Sequence, residues 1–183
     1  KLLDKCGIDK RVIYHDLYIR KENGTYTQID LAVPTPQGII VFEVKDYSGW
    51  IFGNGNSKYW MQILAYGQEK HQFYNPIWQN RTHINALRKL LPNNPDVPIF
   101  NIVVFYGNSE FKDLNYDTSG RVRVIYNTQV VELVKHIKSL PPAEYGNKRE
   151  VAAVLAEGVR NGRDPEIRQA QKNLAARAKA NSH

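Results

Sequence analysis

The sequence has 183 residues, of which 42% are apolar and 23% are charged. This length and balance fit one ordinary domain with a sizeable core, and they exclude a chain that is disordered throughout. Lysine and arginine outnumber aspartate and glutamate by 25 to 18, and the net charge of +7 fits a polyanionic partner such as nucleic acid as well as a plain solvated basic surface.

The chain contains one cysteine, Cys6, so an internal disulfide and a zinc site built from several cysteines are both excluded. This cysteine usage suggests a reducing compartment, and we expect a cytoplasmic protein. No stretch approaches the roughly 18 consecutive apolar residues of a membrane span, and the first residues lack the order of a signal peptide. We therefore expect no membrane partner for the numbered chain.

The first fifty residues predict a meander of three strands, because β-branched and aromatic residues are divided there by turn signals. Asn23-Gly24 is a hairpin turn signal, and a second turn is expected at 34–38. The predicted strands cover residues 12–19, 27–33 and 38–45.

The next segment, 49–74, predicts two or three short strands around a turn at 53–56. A helix over residues 58–72 is the alternative. We prefer strands because aromatic residues and Gly67 interrupt any helical stripe.

Two helices are expected on either side of a buried strand. Asn75 can cap the first helix and Pro76 is tolerated at its first position, while Pro92 ends it. Residues 99–106 form a nearly continuous apolar run, typical of a strand buried between helices, and a further strand is expected at 121–126. The apolar stripes of the two helices are Ile77, Ile84, Leu87 and Leu91, and, after a cap at Asn127 or Thr128, Val130, Leu133, Val134 and Ile137.

The composition changes after residue 140, where aromatic residues become rare and Ala, Lys, Arg and Glu dominate. We predict helices over 148–159 and 165–180, separated by Asn161-Gly162. The predicted organisation is a domain over 1–140 and a basic, Ala-rich helical tail over 141–183.

Three charged residues of the meander are predicted to meet. Glu43 and Lys45 are two residues apart in one strand, so they project from the same face. If the hairpin pairs Val33 with Ile40, then Asp30 lies opposite Glu43. Two carboxylates and an ammonium would thus meet at one end of an apolar hairpin.

An ordinary ion pair on a solvent-facing edge is the simplest interpretation of this cluster. A divalent metal site is the more specific one, because the carboxylates of Asp30 and Glu43, the carbonyl of Val44 and several waters suit Mg²⁺ or Mn²⁺. Such a metal would polarise a phosphoryl oxygen and acidify a bound water, while Lys45 offsets charge on the phosphate. This is the chemistry of phosphodiester hydrolysis.

The spacing of Asp30, twelve intervening residues and Glu43-Val44-Lys45 resembles the core of the PD-(D/E)XK nuclease superfamily, with Ile29 where that motif has its leading proline. The surrounding blocks are similar to the nuclease-related domain, NERD. These blocks are Thr27-Gln28-Ile29-Asp30, then Gly38-Ile39 and Val41 to Gly49, then Tyr74-Asn75-Pro76-Ile77-Trp78-Gln79-Asn80 with His83 and Leu87.

The resemblance implies an α/β, restriction-endonuclease-like core with a mixed β-sheet flanked by helices. In this family Asp30 and Glu43 would bind Mg²⁺, Lys45 would be the catalytic lysine, and Gln79 would orient water or phosphate. Many members carry a further glutamate on a helix ahead of the first strand. Here that residue either precedes the numbered chain or is replaced, poorly, by Asp4.

Other basic residues are expected to hold nucleic acid, with DNA preferred over RNA. Taking 100° per residue, His83 falls with Gln79 on one edge of the helix stripe, and we assign it a phosphate contact. Lys58 lies among aromatic residues that could stack on bases, although aromatic residues in short strands are more often core. In the tail, Arg168 and Lys172 contribute to a local surplus of positive charge.

The resulting hypothesis is a metal-dependent nuclease that hydrolyses phosphodiester bonds of DNA or RNA. A non-catalytic nucleic-acid-binding or regulatory module on the same fold is the alternative, and a protein-interaction domain using the C-terminal helices is a third. A homo-oligomer or a fused partner domain is compatible with the sequence.

Overall fold

The computed structural model describes residues 3–64 and 67–180 of the chain. The helices are α1 (Pro76–Lys89), α2 (Val130–Ser139), α3 (Lys148–Arg163) and α4 (Pro165–Ala180). Short 3-10 turns lie at Leu3–Cys6, Lys10–Val12 and Asn127–Gln129. The described strands are β1 (Tyr14–Arg20), β2 (Tyr26–Thr35), β3 (Gly38–Asp46), β4 (Gly49–Asn54), β5 (Tyr59–Leu64), β6 (Glu69–Tyr74), β7 (Ile99–Tyr106), β8 (Ser109–Asn115) and β9 (Val122–Tyr126).

Two mixed sheets organise the chain. The five-stranded sheet has the order β1-β2-β3-β7-β9, with antiparallel pairing across β1, β2 and β3 and parallel pairing of β7 with β3 and of β9 with β7. The predicted pairing of Val33 with Ile40 is confirmed. The four-stranded sheet has the order β6-β5-β4-β8, which confirms strands over the described part of 49–74; residues 65 and 66 lie outside the described residues.

Helices cover both faces of the five-stranded sheet because its strands are apolar on both faces. Helices α1 and α3 pack on one face through a core that includes Leu17, Leu87 and Leu155. Helix α2 packs on the other face, where its residue Val134 joins Phe42 in a second core. This arrangement confirms the predicted α/β class and is consistent with a restriction-endonuclease-like core.

The start of α1 follows the predicted capping chemistry. The side chain of Asn75 accepts hydrogen bonds from the backbone N–H groups of Ile77 and Trp78, and Pro76 is the first helical residue. The predicted cap of α2 is wrong. A 3-10 turn occupies Asn127–Gln129, the helix begins at Val130, and neither Asn127 nor Thr128 caps it with a side chain.

The predicted break at Asn161-Gly162 is also wrong, because α3 continues to Arg163. A Cβ at position 162 would lie 2.1 Å from the carbonyl oxygen of Asp16, so glycine is needed there for close packing on β1. Asn161 donates from Nδ2 to the carbonyl of Tyr18. The apparent turn signal is therefore a helix–strand contact.

Strand β8 was not predicted. Its residues alternate poorly, and it is a strand because it pairs in parallel with β4, with an irregular register between Ile51 and Phe52. Helix α3 buries Val151 and Leu155 in the core beside β1, so part of the predicted tail packs on the sheet. The boundary at residue 140 stays a prediction. In the described ranges, no helix combines the length and apolar character required to cross a bilayer.

Candidate active site at the end of strand β3

Strand β3 ends in the charged pair that the sequence singled out. Glu43 and Lys45 lie on one face of the strand, and Lys45 Nζ is 2.7 Å from Glu43 Oε1. Both side chains are largely buried, because β3 lies between β2 and β7 and under α1. The solvent-facing ion pair, the simplest interpretation of the sequence, is therefore excluded.

Asp30 joins this pair through the backbone of β3. The β2–β3 register runs as far as Leu31 opposite Phe42, and Asp30 is the preceding residue of β2. Its Oδ2 accepts a hydrogen bond of 2.8 Å from the N–H of Val44. Since the N–H and C=O of one strand residue point to the same side, the carbonyl of Val44 also faces β2.

Helix α1 supplies two polar side chains one turn apart. Gln79 Oε1 accepts a 2.9 Å hydrogen bond from Lys45 Nζ, and His83 Nε2 lies 3.2 Å from Glu43 Oε2. Residues four apart share a helix face, so the predicted placement of Gln79 and His83 at the charged end of the sheet is confirmed.

Buried asparagines hold α1 at this distance from the sheet. Asn80 donates from Nδ2 to the carbonyl of Val41 and to Oδ1 of Asn101, and Asn101 donates in turn to the carbonyl of Ile77. These bonds run between β3, β7 and α1. They fix the position of α1 relative to β3, so that the side chains of Gln79 and His83 reach Lys45 and Glu43.

The two carboxyl groups have opposite pKa shifts. Burial raises the pKa of Asp30, and the nearby charge of Glu43 raises it further, against the hydrogen bond from Val44. Burial also acts to raise the pKa of Glu43, but the contacts of Glu43 with His83 and Lys45 outweigh burial, so its pKa is lowered. An added cation would stabilise the ionised form of both groups.

The donor set fits a hard divalent cation. Oδ1 of Asp30 has no hydrogen-bond donor among residues 3–64 and 67–180, and Asp30, Glu43 and Val44 offer oxygen ligands only. In the same ranges, no group of three or more His, Cys, Asp or Glu side chains could hold a metal. Two carboxylates and a carbonyl, completed by water, match the preference of Mg²⁺.

The remaining predicted residues lie on other surfaces. Lys58 Nζ lies 5.2 Å from the centre of the Tyr59 ring, in the turn between β4 and β5. On the exposed surface of α4, Arg168 donates to the carbonyl of Gly162, while Lys172 is exposed. Within the described residues, no hydrogen bond or ion pair joins Lys58, Arg168 or Lys172 to Asp30 or Glu43. Their role in holding nucleic acid stays a prediction.

Asp4 and His83, which were also considered for the site, both have partners within the protein. Asp4 forms an ion pair with Lys10 at 3.4 Å, in the N-terminal segment whose first turn packs against α2. His83 is buried, and its Nδ1 lies 2.6 Å from Thr27 Oγ1. No role was predicted for Thr27. The two-residue alternation of β2 could have predicted that Thr27 faces the protein interior, because Thr27 lies on the same strand face as the buried Ile29.

The model of the nuclease-related domain family, NERD, matches residues 1–106, a span that holds all of the residues around Asp30 and Glu43 described above. An uncharacterized protein of Bacillus anthracis is 29% identical over 147 residues, which cover 80% of this chain and 66% of that protein. The chain therefore spans slightly less than two thirds of that relative's length. No solved structure matches the chain.

Proposed function

Because the chain belongs to the nuclease-related domain family, we propose that it is a metal-dependent nuclease that hydrolyses phosphodiester bonds of DNA or RNA. One observation carries this proposal: Asp30, Glu43, Lys45 and Gln79 come from three different elements and converge at the end of β3. Carboxylates with an adjacent, oriented ammonium are the groups that phosphodiester hydrolysis needs.

The cost of the cluster supports a functional role. Burying paired charges seldom stabilises a fold more than apolar residues of similar volume would. The pKa of Asp30 is raised by burial first and by the charge of Glu43 second, so its ionised form is less favourable in the folded protein than in water. Buried charged groups that are clustered and have shifted pKa values are candidates for a catalytic role, because the fold gains little stability from them.

Each residue has a separate part in the proposed mechanism. Asp30, Glu43 and the carbonyl of Val44 would hold Mg²⁺ or Mn²⁺, which when bound would polarise a phosphoryl oxygen and acidify a coordinated water. Lys45, held by Glu43 and Gln79, would stabilise the negative charge that develops on the scissile phosphate or position the attacking water. The amide nitrogen of Gln79 would remain available to orient that water or a phosphate oxygen.

The wider assignments belong to the same proposal. We infer DNA in preference to RNA as the partner, a cytoplasmic location from the single cysteine, and phosphate contacts from Lys58, Arg168 and Lys172. The phosphate contact predicted for His83 is not part of this proposal, because His83 is buried and its two ring nitrogens face Thr27 and Glu43. A homo-oligomer or a fused domain would be compatible with these assignments.

The test is a cleavage assay on single- and double-stranded DNA and RNA with Mg²⁺, with Mn²⁺ and with chelator. We expect cleavage that requires the metal. We also expect the metal to stabilise the fold by about 2.7 kcal/mol at a hundredfold excess over Kd, which is observed as a rise in melting temperature. Asp30→Asn should lose both effects, while Asp113→Asn on β8, an exposed aspartate, should keep both. Equal metal shifts in wild type and Asp30→Asn would contradict the metal assignment.

A non-catalytic nucleic-acid-binding or regulatory module is the second candidate. It is favoured by the fact that both carboxylate oxygens of Glu43 already have a protein neighbour, Lys45 at 2.7 Å and His83 at 3.2 Å. This function would require affinity for nucleic acid without metal-dependent cleavage. The same assay distinguishes it from the nuclease.

A further inference from the structure

Three buried side chains form a chain of polar contacts behind the candidate metal site. Thr27 Oγ1 lies 2.6 Å from His83 Nδ1, and His83 Nε2 lies 3.2 Å from Glu43 Oε2. Thr27, His83 and Glu43 are 6%, 7% and 3% exposed. Polar groups buried to this degree must find their hydrogen-bond partners within the protein, so the order of donors and acceptors along the chain matters.

The chemistry of the end groups determines where the imidazole proton lies. Nε2 of His83 is buried and lies 3.2 Å from Glu43 Oε2, but the two atoms are not aligned in a hydrogen bond in this structure. An ionised carboxylate only accepts hydrogen bonds, so a small rotation that joins the two groups requires the proton on Nε2. Nδ1 is then free to accept, and the hydroxyl of Thr27 can donate to it at the observed distance. The order of donation is therefore from Thr27 to His83 to Glu43.

This order has a consequence for Glu43. The last torsion of a glutamate side chain is broad, so a carboxylate without fixed neighbours rotates easily. Lys45 contacts Oε1 and His83 contacts Oε2, which fixes the carboxylate plane from both sides. A carboxylate has about four acceptor sites, so one contact at each oxygen leaves capacity for a cation.

We propose that Thr27 and His83 are positioning residues, which hold the ring proton of His83 on Nε2 and thereby orient Glu43 toward a divalent cation. The orientation of Glu43 toward a cation rests on the proposed function, whereas the order of hydrogen-bond donation from Thr27 to His83 to Glu43 does not. Partners that orient a metal ligand typically change metal affinity by 10- to 100-fold.

The first experiment addresses the proton alone and uses protein treated with chelator. Nitrogen-15 NMR of the His83 ring should show a protonated Nε2 and an unprotonated Nδ1 that accepts a hydrogen bond. The Nδ1 resonance should shift in Thr27→Val, which removes the hydroxyl at nearly constant shape, and should stay close to wild type in Thr27→Ser. A proton on Nδ1 in the wild type, or an unchanged Nδ1 resonance in Thr27→Val, would overturn the proposed order.

The second experiment measures Mn²⁺ affinity by calorimetry without nucleic acid. Thr27→Val should bind Mn²⁺ about 10- to 100-fold more weakly than wild type, and Thr27→Ser should restore binding. Thr82→Val is the matched control, because Thr82 is next to His83 on α1 but exposed and bonded to the carbonyl of Trp78. Its affinity should equal that of wild type.

The outcomes separate this inference from the proposed function. If wild type binds Mn²⁺ and Thr27→Val binds it equally well, positioning by Thr27 is wrong while the nuclease proposal stands. If wild type binds no Mn²⁺, the metal-dependent function is wrong and the positioning role falls with it. The NMR experiment on the His83 ring then tests the order of hydrogen-bond donation independently of metal binding. If Thr27→Val does not fold, the wild-type spectrum alone tests that order, because it shows which ring nitrogen carries the proton.

Discussion

Strands β3 and β8 each carry a glutamate and a lysine two residues apart: Glu43 with Lys45, and Glu110 with Lys112. Both pairs form ion pairs, with nitrogen–oxygen distances of 2.7 Å in β3 and 2.5 Å in β8. The lysine and glutamate side chains are 14% and 4% exposed in β3, but 37% and 59% exposed in β8. Equal spacing therefore gives equal pairing but very different burial.

The difference comes from what surrounds each strand. Strand β3 is central in its sheet and lies under α1, so Asp30, Gln79 and His83 reach its charged end. Strand β8 is an edge strand of the other sheet, and Lys112 there also lies 5.1 Å from the centre of the Trp50 ring. A Glu-x-Lys pair becomes a candidate site only where other elements bury it and add ligands.

The largest contrast is expected in stability. Glu43→Ala leaves the buried ammonium of Lys45 without its carboxylate, and we expect the free energy of unfolding to fall by about 3 kcal/mol or more. Glu110→Ala removes an exposed partner and should cost about 0 to 1 kcal/mol. Urea denaturation of both variants, compared at one pH, measures the difference. Equal losses would show that burial of the β3 pair does not control its energy.

The second contrast concerns cleavage. Lys45→Ala removes a cation that matters most when charge builds up on the scissile phosphate, so cleavage should fall about 10²- to 10³-fold. Nucleic-acid affinity should be nearly retained, because one phosphate contact among many contributes modestly. Lys112→Ala is the control and should leave both quantities unchanged. If Lys45→Ala changes affinity alone and wild type shows no metal-dependent cleavage, the binding-module function replaces the nuclease.

The third contrast is between Glu43 and Asp30, whose effects on the free energy of unfolding should differ in sign as chelator-treated protein is acidified. Because the pKa of Glu43 is lowered, its contribution to stability is lost as the pH falls below its ordinary value of 4.5 and through the native pKa. The pKa of Asp30 is raised, so the cost of ionising it disappears as the pH falls through the native pKa toward 3.8.

Thermal melts from pH 7 to pH 3 measure these opposite signs. As the pH falls, wild type should lose its stability advantage over Glu43→Gln. Over the same range wild type should gain stability relative to Asp30→Asn. Differences of the same sign for both variants would contradict the opposite pKa shifts.

The smallest effect is expected from exposed charges on α4. Replacing Arg168 and Lys172 by glutamine should reduce the salt dependence of nucleic-acid binding by about one to two units of slope, because fewer counterions are released. A deletion after Pro142 would also remove Val151 and Leu155 from the core, so substitutions are used to change the charge alone.

The paired control replaces Lys135 on α2 and Arg149 on α3, both exposed. An unchanged slope in the Arg168 and Lys172 variant would remove α4 from the nucleic-acid surface.

Much of the site follows from local rules that a sequence contains. The two-residue period of strands determines that Glu43 and Lys45 share a face, and the short turn between Thr35 and Gly38 brings Asp30 near them. Capping by Asn75 sets the start of α1, and the four-residue spacing of Gln79 and His83 sets their common direction. Each of these depends on residues that are close in the chain.

Tertiary structure decided the features that depend on distant residues. The Asn161-Gly162 signal became a contact with β1 rather than a turn, β8 exists because β4 offers it a partner, and Thr27 meets His83 across 56 residues of chain. The Glu-x-Lys spacing is the same in Glu43-Val44-Lys45 and Glu110-Phe111-Lys112, although an apolar run directly precedes only Glu43. Packing decided which partners each pair meets, because burial makes charged groups expensive and forces them to find partners, and burial is a property of the whole fold.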